Sequence, residues 1–191
     1  TGGTGSGDTL TVTFGGAGLT AAEMAGVTAI ETIKTASDAA GTLVLSDNNN
    51  VSSVLTINAV ANTSAAFTLD ASAENDGTIV YTGGAGIDTV TGTTGADTIG
   101  GGAGADVITG GNGIDTITGG AGADTFTYTA VAQSTGTARD SITDFVSGTD
   151  KIAITLDQSS STAGVTIDAT IQTAQAGTSA VQAAMSGSIG Q

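Results

Sequence analysis

A nine-residue period constrains this chain more than any other feature. From Gly83 to Thr127 the sequence divides into five consecutive nonapeptides: GGAGIDTVT, GTTGADTIG, GGAGADVIT, GGNGIDTIT and GGAGADTFT. An Asp stands at every ninth place (Asp88, Asp97, Asp106, Asp115, Asp124), and two places later comes Val90, Ile99, Ile108, Ile117 or Phe126. No helix repeats on that period with so much glycine. In the pattern Gly-Gly-x-Gly-x-Asp-x-U-x, where U is a large apolar residue, the first six positions make a turn and the last three a short strand. The glycines allow φ > 0 and let neighbouring turns approach closely. A turn of this kind aims backbone carbonyls and the Asp carboxylate toward one point, and such hard oxygen ligands suit calcium. One nonapeptide supplies too few oxygens for a full shell, so a pair of turns is the unit and the repeats must stack.

If two nonapeptides make one coil of a flattened solenoid, turns 18 residues apart lie on top of each other. Asp88, Asp106 and Asp124 then line one edge, with Asp97 and Asp115 on the other. This gives two inter-turn sites on the first edge and one on the second. Bare carboxylates stacked ~5 Å apart would repel by roughly 1 to 3 kcal/mol. A bound cation turns that repulsion into a cross-link. The alternative, a flexible glycine-rich linker, does not explain an apolar residue at every eighth position of the repeat.

With this motif the chain resembles the RTX (repeats-in-toxin) family of secreted calcium-binding proteins. The residues that carry the resemblance are Gly83, Gly84 and Gly86 with Asp88, Gly101, Gly102 and Gly104 with Asp106, Gly110, Gly111 and Gly113 with Asp115, and Gly119, Gly120 and Gly122 with Asp124. The second repeat keeps Gly95 and Asp97 but has Thr93 in place of the second glycine. The resemblance implies an all-β fold, a parallel β-roll or β-solenoid with stacked calcium loops, and at least three calcium ions held by these turns. It also implies type I export, directed by a signal near the C-terminus, to the extracellular space or the bacterial cell surface.

Beyond Thr127, Asp140 to Phe145 (Asp-x-Ile-x-Asp-Phe) and Gly148 to Ile152 (Gly-x-Asp-Lys-Ile) are similar to the closing element that follows RTX rolls. Ile142, Phe145, Ile152 and Ile154 are expected to cover the open end of the stack. Asp140 and Asp144 either complete a last calcium site above the Asp124 turn, or cap turns and pair with Arg139 and Lys151.

Upstream the signals are weaker. Alternation of Leu10, Val12 and Phe14 predicts a strand, led by Asp8 either as a degenerate repeat or as an ordinary strand entry. Thr20 with Glu23 forms a capping box for a short helix over 21–25, and a strand is expected over 29–34. The pairs Leu43/Leu45, Leu55/Ile57, Phe67/Leu69 and Ile79/Tyr81 recur every 12 residues, which predicts solenoid rungs continuous with the roll, with a separate small β-sandwich as the alternative. The expected organisation is therefore a β-rich region over 1–82, the calcium roll over 83–127, its cap over 128–156, and a polar segment over 157–191. In that last segment a strand near Val165 and a helix over 169–185 are expected, and the resemblance places the export signal there.

Composition excludes several functions. With 18 acidic and 3 basic residues, a net charge of −15 is incompatible with a nucleic-acid surface or electrostatic attachment to anionic lipid. Each bound calcium would offset two of those charges. No cysteine is present for disulfides or thiolate metal sites, and no apolar run is long enough to span a membrane. Without histidine there is no imidazole general base, catalytic triad or zinc-peptidase helix in this chain. Nearly all the acids occupy repeat or turn positions, and the lack of Trp removes a sugar-stacking platform. The expectation is a non-catalytic, secreted, calcium-stabilised structural protein that assembles with its own copies into a surface layer, filament or matrix. The other readings are an adhesin or a C-terminal module of a larger exported protein or hydrolase.

Overall fold

The computed structural model describes residues 7–14, 18–36, 38–47, 54–75, 77–134, 138–155 and 172–173. Fourteen short strands and one helical turn are found among them. The strands are β1 Thr9–Val12, β2 Thr32–Thr35, β3 Gly41–Val44, β4 Val54–Asn58, β5 Phe67–Asp70, β6 Thr78–Thr82, β7 Thr89–Thr91, β8 Thr98–Ala103, β9 Val107–Thr109, β10 Thr116–Ala121, β11 Thr125–Tyr128, β12 Ser141–Ile142, β13 Lys151–Ile154 and β14 Gln172–Thr173. From β2 to β13 they alternate between two parallel sheets. One runs β1-β2-β4-β6-β8-β10-β12-β14 and the other β3-β5-β7-β9-β11-β13. The fold is a parallel β-roll, and both sheets pass through Gly83 without interruption.

The pairing register shows how wide each coil is. Thr32 pairs with Thr56 and Val54 with Thr78, offsets of 24 residues. Thr68 pairs with Thr89, an offset of 21. From Val80 with Thr98 through Val107 with Thr125 the offset is 18. The last coil opens again to 25 and 26, as Thr116 pairs with Ser141 and Thr125 with Lys151. The 12-residue spacing is thus half a coil: consecutive rungs face each other across the core, and like residues stack two rungs apart, Leu55 on Ile79 and Ile57 on Tyr81. The β3–β5 pair departs further, with Leu43 on Leu69 and Phe67 over Gly41. A Cβ on Gly41 would overlap the Phe14 ring, which packs 5.6 Å from the Phe67 ring. Aromatic bulk sets the register there.

Each strand turns one face inward, and the core is a thin file between the sheets. Leu43, Leu55, Leu69, Ile79, Val90, Ile99, Ile108, Ile117, Phe126 and Ile142 are all buried. Burial of each such side chain contributes about 1.5 to 3 kcal/mol. Their outward neighbours are mostly Thr, whose β-branched side chain suits a pleated surface. At the first end, Thr20 caps helix α1, Ala21–Met24, through the complete capping box with Glu23, and Met24 is buried against the core. At the other end Ile142 continues the core file as a rung of its own, while Phe145, Ile152 and Ile154 pack against it partly buried. The closing segment is therefore a further coil as well as a cover. Of the C-terminal expectations only Gln172–Thr173 can be placed. It is a strand beside β12 rather than part of a helix, and the rest of 157–191 lies outside the described residues.

Candidate metal centre

The turns that join the 18-residue coils stack at the two edges of the roll, and their Asp side chains form two ladders. On the first edge Asp106 Oδ1 accepts the Asp88 N–H at 2.8 Å, and Asp124 Oδ1 accepts the Asp106 N–H at 2.9 Å. Asp88 Oδ1 itself accepts the N–H of Phe67, one coil earlier, at 3.1 Å. On the second edge Asp97 Oδ1 accepts from Ile79 at 2.8 Å and Asp115 Oδ1 from Asp97 at 2.9 Å. The grouping of Asp88, Asp106 and Asp124 against Asp97 and Asp115 follows the 18-residue coil. All five are buried.

Sequence reasoning misplaced one member of the closing element and missed another. Asp140 does not sit above the Asp124 turn. Because β12 pairs with β10, the residue before it falls in the other column, where Asp140 Oδ1 accepts the Asp115 N–H at 3.0 Å. The residue above Asp124 is Asp150, whose Oδ1 accepts the Asp124 N–H at 3.1 Å. Both precede their strands with the Asp-x-Ile spacing of the repeat, Asp140-Ser141-Ile142 and Asp150-Lys151-Ile152. That signal was available at position 150. Asp144 takes a different role, accepting the N–H groups of Gly119 and Gly120 at 2.9 and 2.7 Å at the start of the last glycine turn.

The second carboxylate oxygens separate the turns into two kinds. Oδ2 of Asp106, Asp115, Asp124 and Asp140 is buried with no hydrogen-bond partner. A buried oxygen without a donor keeps the full cost of its lost hydration. Burial pushes the Asp106 carboxyl up to about 6 and the Asp115 carboxyl up to about 7, and facing carboxylates add to both, Asp88 and Asp124 to the first and Asp140 and Asp97 to the second. Asp88, Asp97, Asp124 and Asp140 are also raised, chiefly by burial.

The glycines bring other oxygens to the same places. A Cβ on Gly101 would overlap Asp106 Oδ2 and stand 2.6 Å from the carbonyl oxygen of Gly119 in the next turn. A carboxylate oxygen and a carbonyl oxygen from successive turns thus converge where glycine leaves room. Gly102 adopts φ +106°, in the left-handed region that other residues avoid. Among the described residues no three Asp, Glu, His or Cys side chains converge on one point. An ion here would draw much of its shell from backbone carbonyls, as hard cations accept. Buried bare carboxylate oxygens beside stacked carbonyls fit calcium and offer no soft ligand for a thiophilic metal.

Comparison with known proteins adds the lineage. A family model described as peptidase M10 serralysin C terminal matches residues 31–182. The match starts well before the first glycine turn and takes in the wide coils as well as the roll. No curated protein matches the chain.

Proposed function

We propose a function from one premise: the chain belongs to the peptidase M10 serralysin C-terminal family, the RTX-type calcium-binding β-roll found in secreted proteins. The chain acts as an extracellular structural module that folds on calcium, with the ions as cross-links between stacked turns rather than as cargo or catalyst. The bare, buried Oδ2 atoms of Asp106, Asp115, Asp124 and Asp140 carry this reading. Bound calcium supplies a divalent charge that takes six to eight oxygen ligands. The Asp side chains of the glycine turns, with the carbonyls of the glycines against which they pack, would hold it.

These oxygens meet only when coils stack, so calcium-binding free energy is folding free energy. At the low calcium of a cytosol the roll stays unfolded, and it folds on reaching millimolar calcium outside the cell. Circular dichroism across a calcium titration tests this. The β signal of the roll should appear with calcium and collapse with chelator, and a signal indifferent to chelation would sink the reading.

Two finer roles are supported by different observations. The family favours a module of a larger exported protein. Assembly with copies of itself at the cell surface is favoured by the acidic, histidine-free composition and by the sheet edges: among the described residues β3 and β13 end the second sheet, and edge strands pair by strand addition. Electron microscopy with millimolar calcium separates them. Sheets or filaments that dissolve in chelator support assembly, and a monodisperse monomer at high concentration supports the module.

A further inference from the structure

Turns of nearly the same sequence differ in backbone along the roll. In GGAGAD over 101–106 the second and fourth glycines have φ of +106° and +131°, and the turns at 110–115 and 119–124 share this form. In GGAGID over 83–88, and in GTTGAD over 92–97, no residue has positive φ. With that peptide orientation the N–H of the second residue points at the turn's own Asp. Gly84 donates to Asp88 Oδ2 at 3.2 Å, and Thr93 donates to Asp97 Oδ2 at 2.6 Å. Each turn adds a hydroxyl. The Tyr81 hydroxyl donates to Asp88 Oδ2 at 3.0 Å, and the Thr93 hydroxyl lies 2.9 and 3.1 Å from the two Asp97 oxygens. Tyr81 and Thr93 are themselves buried, so these donors are held in place.

A carboxylate with several directed donors is stabilised in its charged form without a metal. Asp88 and Asp97 have both oxygens occupied, whereas Asp106, Asp115 and Asp124 have one bare. The same cradle of glycine and carbonyl oxygen recurs at Gly83 and Gly92, so the donors make the difference rather than the space.

We propose that donors of the chain itself replace the cation in the first turn of each edge, Tyr81 and Gly84 at Asp88 and Thr93 at Asp97. Calcium loading then begins at Asp106 and Asp115, and the wide coils with the first two turns form a calcium-independent base on which the roll is built. This rests on the calcium reading above and specifies where along the stack it applies.

Two measurements on the full chain test it. Native mass spectrometry should find the same number of tightly bound calcium ions in Asp88→Asn and Asp97→Asn as in the parent, and at least one fewer in Asp106→Asn. Thr93→Gly, which restores the missing glycine, should add one ion. Hydrogen exchange of the parent in chelator should keep amides of 54–91 protected while those of 107–128 exchange freely. Loss of an ion in Asp88→Asn and Asp97→Asn, or uniform exchange along the chain in chelator, overturns the proposal. A parent chain that binds no calcium overturns the preceding reading instead, and that outcome requires no variant.

Discussion

Asp106 shows how much one residue of the repeat does. Its Oδ1 satisfies the buried Asp88 N–H, its own N–H is satisfied by Asp124, and its Oδ2 waits for a cation. Asp106→Ala therefore orphans a buried N–H, at a cost of about 1 to 3 kcal/mol, and removes a ligand as well. It should raise the calcium midpoint of folding more than Asp97→Ala does, which a calcium titration followed by circular dichroism would measure. Gly102→Ala forces a side chain into φ +106° and against the Gly84 carbonyl, a loss of roughly 1 to 3 kcal/mol readable by chemical denaturation. The carboxyls also set a pH dependence. Asp106 and Asp115 bind protons more tightly folded, at about 6 and 7, than unfolded at 3.8. In chelator their contribution is fully present below pH ~4 and is lost as the pH rises through 6 to 7. The calcium-free chain should accordingly melt higher at pH 4.5 than at pH 7.5. With saturating calcium the order reverses, because ions displace the protons.

At the scale of elements, the parts written in a short period were legible and the parts set by neighbours were not. The nine-residue repeat fixed which Asp residues share an edge, and the Thr20–Glu23 box fixed a helix of four residues. The 12-residue rungs were visible, but that two of them make one coil depends on the chain crossing to the second sheet, which spacing alone does not encode. The turn at 83–88 reads like the one at 101–106 yet folds differently, because it rests on the wide loop below. Ala85 donates to the Asn62 carbonyl, where Ala103 has a glycine turn beneath it and donates to Gly84. The core file behaves as elements, too: Ile108→Ala, fully buried between β7 and β11, should cost about 2 to 5 kcal/mol in the calcium-loaded chain. Thr20→Ala, at the exposed end of α1, should cost about 1 kcal/mol or less.

Across the whole molecule, coil width is the variable that distinguishes the two halves. Wide coils bury more apolar surface per turn and carry loops that need no metal. The 18-residue coils have glycine corners and a core one residue thick, and they depend on charge compensation at their edges. The alternation of sheets has a counting consequence. A coil is two nonapeptides, so inserting 18 residues after Thr109 adds a layer and leaves every downstream Asp on its own edge. Inserting nine exchanges the edges: Asp115 would join the first column, Asp124 the second, and β12 and β13 would meet the wrong sheets. The roll tolerates even numbers of repeats and rejects odd ones, so its length can grow only in steps of two.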